Sequence, residues 1–255
     1  MNNILSRTRE WKKTRTGYTQ TTGFHAVDSG VAKAVNDVFS GAMMIDPREH
    51  EKRFAAFLER PGQDRVFVGK FDDIAEFLQA VRRASAGRKS VSAEVPNINR
   101  DALPLINLSR GFDITYDNGD QEIDRHGYAD YVDENGMPLA EIEATQASLN
   151  YTVMMIAADK DTLSLMCNTF AANLRSRLTT NFKVNEVLVR VPVELNCNIQ
   201  DAKSIMFGDM SLPFSQERLY AAQAGIIILA DVLTAHEVEA VSTMTQASFN
   251  IGENL

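Results

Sequence analysis

Residues 149–199 constrain the fold most, because a strand, a helix and a second strand follow one another there with clear periods. Leu149, Tyr151, Val153, Met155 and Ala157 alternate with Ser148, Asn150 and Thr152, the period of two of a half-buried strand. Met154 and Ile156 then replace the polar side, so the far end is expected to be covered on both faces. In Asp159-Lys160-Asp161-Thr162 the acidic side chains are placed to accept the free N–H groups of a starting helix. Leu163, Met166, Phe170, Leu174 and Leu178 recur at spacings of three and four, which makes one helical stripe. Arg175 and Arg177 suit the negative end of that helix dipole. Val187, Val189, Val191, Val193, Leu195, Cys197 and Ile199 form an apolar row opposite Leu188, Arg190, Pro192, Glu194, Asn196 and Asn198. This predicts one long two-faced strand over 187–199, with Phe170 and Val191 facing each other across the core. Pro192 cannot donate a ladder hydrogen bond, so the strand belongs at or near a sheet edge.

Upstream, Val31, Val35, Val38 and Phe39 predict a helix capped at Asp28-Ser29. Asp46-Pro47 predicts the start of another, with Phe54, Phe57 and Leu58 inside and Arg60-Pro61-Gly62 as its stop. A short strand over Arg65–Gly69 and a third helix from Phe71 through Ile74, Phe77, Leu78 and Val81 follow. Leu103–Leu108 reads as a strand, and Phe112–Tyr116 leads into Asp117-Asn118-Gly119, a tight-turn triplet. A second turn at Glu134-Asn135-Gly136 separates Tyr128–Val132 from a partner beginning near Leu139. Together these predict a hairpin over 112–147 that projects from the domain. Leu219–Leu229 reads as the last central strand, Asp231–Val241 as a short helix, and the chain from Ser242 as a polar tail. The expected fold class is α+β, a mostly antiparallel sheet with packed helices, a projecting β-hairpin and an N-terminal helical extension. The expected divisions are a basic flexible arm over 1–20, a helical extension over 21–62 and an α+β domain over 63–255.

At 44% apolar and 24% charged, the composition is that of an ordinary globular chain. No apolar run approaches the roughly 18–20 residues of a membrane helix, even at Ala221–Leu233, so no membrane partner is expected. The opening Met1–Arg7 has no apolar core of a signal peptide. Cys167 and Cys197 fall on apolar faces and are expected to be buried free thiols. The net charge of −8 hides an asymmetry: Arg7, Arg9, Lys12, Lys13 and Arg15 against Glu10 put +4 on the first twenty residues and leave −12 for the rest. An acidic body argues against sequence-specific nucleic-acid binding. The arm has no helical or strand period around Trp11, so it is expected to be mobile in solution and able to lie on an acidic neighbour. Arg7, Arg9, Trp11, Lys12, Lys13 and Arg15 are therefore candidate interface residues.

Chemistry is sparse. His25, His50, His126 and His236 are scattered without paired ligand spacing, which gives zinc no support. The run from Asp117 to Asp124 is acidic, but Gly119 stands third where a calcium loop requires glycine at six. Asp117, Asp120, Glu122 and Asp124 are thus expected at a solvated hairpin tip, as candidate contacts to a basic neighbour. Gly62 and Gly69-Lys70 lack phosphate-loop spacing, and no G-x-S-x-G occurs. Arg110 before Gly111 is a lone candidate for holding an anion. No catalytic, cofactor-binding or metal-binding residue is expected; a small metal- or anion-binding enzyme is the alternative from a different class.

The order of elements resembles the tail-terminator (tail-completion) and neck proteins of tailed bacteriophages. The resemblance is carried by the run Leu149-Asn150-Tyr151-Thr152-Val153-Met154-Met155-Ile156-Ala157-Ala158-Asp159-Lys160-Asp161-Thr162-Leu163, by Val187–Ile199 and more weakly by Leu103–Arg110. It spans Phe71 to Leu233 and implies a homo-oligomeric ring, often a hexamer, that closes the tail tube or sheath and joins it to the neck. Its implied partners are other tail and neck proteins of the virion. Other neck, sheath-associated or baseplate components share the pattern.

Overall fold

The computed structural model describes residues 3–71, 74–85, 102–116, 125–176, 180–214 and 217–250. In chain order the elements are β1 (Asn3–Thr21), α1 (His25–Phe39), α2 (Lys52–Glu59), a 3-10 turn (Gly62–Asp64), β2 (Val66–Val68), α3 (Ile74–Ser85) and β3 (Leu105–Tyr116). They continue with β4 (Arg125–Val132), β5 (Pro138–Ala157), α4 (Lys160–Ser176), β6 (Asn181–Leu188), β7 (Val191–Gln200), β8 (Phe207–Asp209), β9 (Leu212–Phe214) and β10 (Glu217–Asn250). The class is α+β, with a large, curled and mostly antiparallel sheet.

The axis of the sheet is β10, a strand of 34 residues. Along one edge it pairs with β5 from Tyr220↔Ala157 to Glu237↔Ala140. Along the other it meets β9, β8, β7 and β1 in turn. The helix expected over 231–241 and the polar tail as far as Asn250 are therefore strand. Val232, Leu233, Ala235 and Val238 are all buried, and ladders on both edges override the short helical period of that stretch. The expected mobile arm is also strand: β1 runs antiparallel to the distal part of β10, from Asn3↔Asn250 to Thr21↔Thr234. Its register shifts between Arg15 and Thr19, around Gly17 at φ 98°.

One face of the sheet carries α1, α2 and α4. Val27, Val31, Val35, Val38, Phe54 and Phe57 share a core with Leu149, Tyr151, Val153, Met155, Phe170 and Ile228. Phe39 ties the layer together, edge-on to Phe57 at 5.4 Å and tilted on Phe170 at 6.1 Å. The first two helices thus belong to the main core and do not stand apart as an appendage. On the other face α3 sets Ile74, Phe77 and Leu78 against Leu105, Met154, Ile156, Leu219 and Ala221. That contact explains why the polar side of β5 turns apolar at Met154. Beyond α3 the same face is polar, with Asn150, Asn181 and Asn196 exposed.

Several boundaries differ from the sequence expectation. Helix α1 starts at His25, so Asp28 lies within its first turn and Phe24 is the N-cap. Helix α2 starts at Lys52 instead of Pro47: Asp46 adopts φ 50°, and Glu51, not Asp46, accepts the Arg48 N–H at 2.8 Å. The single strand expected over 187–199 is broken at Val189 and Arg190, both with positive φ (51° and 64°), which makes the tight turn of the β6–β7 hairpin. The turn resets the alternation, so Leu188 is buried, Val187 is exposed and Val191 is only half-buried. Phe170 packs on Phe39 and Phe207, while Val191, expected to be buried, is only half-buried. Pro192 sits in the part of β7 beyond Cys197–Gln200, the only β7 residues paired with β10, which fits the expected place near an edge. Finally, β3 and β4 both run antiparallel to β5 along the same edge, at Tyr116↔Ala147 and then Arg125↔Ala144. β3 and β4 therefore run in the same direction, and the turn expected at Asp117-Asn118-Gly119 lies outside the described residues. The reversal lies at Asp133–Met137, where Asp133 Oδ1 accepts N–H groups from Asn135 (2.9 Å) and Met137 (2.7 Å).

Candidate interaction surface

Beyond Glu237, β5 has turned away into its hairpin with β4, and β10 continues with β1 alone among the described residues. From Glu239 to Asn250 this two-stranded ribbon is about 35–40 Å long at about 3.3 Å per residue. A two-stranded ribbon by itself is marginal in water unless something holds it.

Its base is held by charge. Trp11, Lys13 and Arg15 fall at alternate positions of β1, in phase with one another. Lys13 Nζ donates to Asp130 Oδ1 of β4 at 2.8 Å and lies 3.9 Å from Glu141 of β5. Arg15 donates to Glu141 Oε2 at 2.9 Å and to Glu143. His236 Nε2 lies 3.1 Å from Glu143 Oε2, on the same side. Glu143 first and Glu141 second hold the Arg15 guanidinium above its usual pKa. The acidic partner expected on a neighbour thus lies in the same chain, on the β4–β5 hairpin. Two cations of the arm are placed against these acids; Lys12 is exposed, and Arg7 and Arg9 follow further out along the β1 backbone. Asp117, Asp120, Glu122 and Asp124 lie outside the described residues. Sequence reasoning missed Asp130, Glu141, Glu143 and His236, although Glu141-x-Glu143 is a strand-period pair of charges that would have marked the acidic face.

The other chemistry-bearing residues have structural partners. Asp28 Oδ1 accepts from the Tyr151 hydroxyl at 2.6 Å and from Arg110 Nε at 2.8 Å, so Arg110 does not present a free anion site. Burial, and then the hydrogen bond to Asp28, push the Tyr151 phenol far above its ordinary pKa. Asp159 Oδ1 accepts the Thr162 N–H at 2.7 Å and Asp159 also faces Arg53 at 3.1 Å. Partial burial raises its pKa, but the bonds from Thr162 and Arg53 outweigh this and hold it below the usual range. Cys167 and Cys197 are free thiols, which burial pushes up to about 11 and about 12. A cleft of about 560 Å³ between the Ser40–Met44 loop, α2 and α4 has no ionisable side chain in its lining. Among the described residues no group of three or more His, Cys, Asp or Glu is arranged to hold a metal ion. No described helix is long and apolar enough to cross a membrane. No protein-family model and no curated protein matches this chain.

Proposed function

We propose that this chain is a structural subunit of a tailed-bacteriophage virion, a tail-terminator (tail-completion) protein that assembles into a ring joining the tail tube or sheath to the neck. The observation that carries the reading is the β1–β10 ribbon, a long two-stranded extension with its base clamped by Lys13, Arg15, Asp130, Glu141 and Glu143. An extension of that length costs conformational entropy, and a two-stranded ribbon is marginal by itself, so its stabilisation is expected from a partner chain. The structural roles of Asp28, Tyr151, Arg110 and Asp159 support assembly over catalysis, because each group is engaged in holding the fold. The experiment is direct. The purified full-length chain is weighed in solution and imaged in negative stain over a wide concentration range. Closed rings are the expected result, and a single-chain mass at every concentration would sink the proposal.

A further inference from the structure

We propose that the cleft between the first half of α4 and the opening of β10 binds a small organic anion, its apolar or aromatic body on the floor and its carboxylate or phosphate between Lys160 and Arg218. Such a site is separate from the β1–β10 ribbon and does not depend on assembly into a ring.

The space originates in side-chain size. Tyr220, Ala222, Ile226 and Ile228 share one face of β10, the face that packs in the core with α4. The isoleucines fill the layer beneath the helices, whereas Ala222 contributes a single methyl group. What remains is a cleft of about 480 Å³, within the range of about 300–1,000 Å³ typical of small-molecule sites. Leu163 and Ala222 in its lining are buried, and Phe207 is fixed edge-on to Phe170 at 6.4 Å, so the floor is apolar. Apolar surface with a few polar groups at its rim is the usual make-up of a ligand site.

The rim selects the sign of the ligand. Among the described residues its charged side chains are Lys160 and Arg218 against Asp209. Lys160 opens α4, where the helix dipole disfavours a cation. Asp159 beside it is engaged by Arg53 and by the Thr162 N–H. The Lys160 side chain makes no ion pair or hydrogen bond among the described residues. A local rule broken without a compensating contact is expected at functional positions. Arg218 lies over the Tyr220 ring at 5.9 Å and stands 3.9 Å from Asp209, beyond hydrogen-bond reach. Asp209 Oδ1 instead accepts the Ser211 N–H at 2.9 Å, which holds that carboxyl below its usual range. At neutral pH the rim therefore keeps one positive charge in excess, a local reversal of sign in a chain of net charge −8. A guanidinium and an ammonium at one rim suit a carboxylate or phosphate, and Phe207 and Tyr220 suit an aromatic body.

Cys167 supplies a reporter, since it is a free, half-buried thiol in the lining of this cleft. The full-length chain is titrated calorimetrically with benzoate, phenyl phosphate and the neutral benzamide, and alkylation of Cys167 by N-ethylmaleimide is followed beside each titration. At least one of the two acids is expected to bind and to slow alkylation of Cys167 several-fold, and benzamide to do neither. The better of the two acids identifies the head group. Lys160→Gln with Arg218→Gln is expected to weaken binding about tenfold, through loss of two charge-assisted contacts. If circular dichroism shows that double variant to be unfolded, Lys160→Gln alone takes its place. Asp209→Asn keeps an oxygen for the Ser211 N–H but removes the opposing charge, and is expected to tighten binding. Failure of both acids to bind, equal binding of benzamide, or full affinity in the cation variant would overturn the site. So would binding that leaves Cys167 alkylation unchanged, or weaker binding in Asp209→Asn.

Discussion

Arg15 of β1 and Glu141 of β5 meet at 2.9 Å although their strands share no ladder, since β1 pairs only with β10 among the described residues. The pair, with Lys13–Asp130 at 2.8 Å, fastens the first strand to the β4–β5 hairpin through side chains alone. Exposed ion pairs of this kind contribute little to global stability but bias a local opening. Glu141→Gln with Glu143→Gln should speed amide exchange over Trp11–Arg15 at least several-fold and leave the global unfolding midpoint almost unchanged. Raising salt should reproduce part of the effect, since the screening length is about 8 Å at physiological ionic strength. Unchanged exchange in the double variant would show that the backbone ladder holds β1 unaided.

The aromatic layer behaves differently. Phe170 is fully buried between Phe39 and Phe207, so Phe170→Ala should cost about 3–5 kcal/mol in chemical denaturation. Val191, half-buried beside the β6–β7 turn, should lose less than about 1 kcal/mol on truncation to alanine. Equal costs for the two variants would contradict this packing.

Stability should fall on the alkaline side. Burial and the Asp28 bond raise the Tyr151 phenol, and burial raises the Cys197 thiol to about 12. In the unfolded chain these groups ionise near their ordinary values, about 10 and about 8.5. The folded form keeps both protonated, so their contribution is complete below those values and is lost progressively as pH rises through the folded ones. Urea midpoints should decline from about pH 9 upward, and Tyr151→Phe should flatten that decline. At neutral pH the same variant should cost about 1–2 kcal/mol, through loss of the bond to Asp28. A decline as steep in Tyr151→Phe as in the wild type would assign the alkaline loss to other groups.

The β6–β7 turn is a place to gain stability. Arg190 holds φ 64° and is exposed, a conformation that costs an L-residue about 1–2 kcal/mol and glycine almost nothing. Arg190→Gly should therefore raise stability by about 0.5–1 kcal/mol after the entropy cost of glycine in the unfolded chain. A lower midpoint would show that the arginine side chain contributes more than the turn geometry costs.

Local period settled a definite part of this molecule. Alternation over Leu149–Ala157, the acidic cap at Asp159 and the stripe through Phe170 encode β5 and α4 in side-chain spacing, and both form where that spacing places them as far as Ser176; Arg177 and Leu178 lie outside the described residues. The valines of α1 and the phenylalanines of α2 did the same for those helices, though not for their first residues. Tertiary structure decided what spacing does not contain. Val187–Ile199 has an unbroken apolar alternation, yet the chain reverses at Val189-Arg190, because the closure of β6 on β7 outweighs two unfavourable φ angles. Trp11–Arg15 and Val238–Ser242 carry no decisive strand pattern of their own; each becomes strand because the other, from the opposite end of the chain, supplies its hydrogen bonds. The candidate surface was half legible for the same reason. The basic charges of β1 were visible in the sequence, but Asp130, Glu141 and Glu143 became their partners only when the ladders brought β1, β10 and β5 side by side.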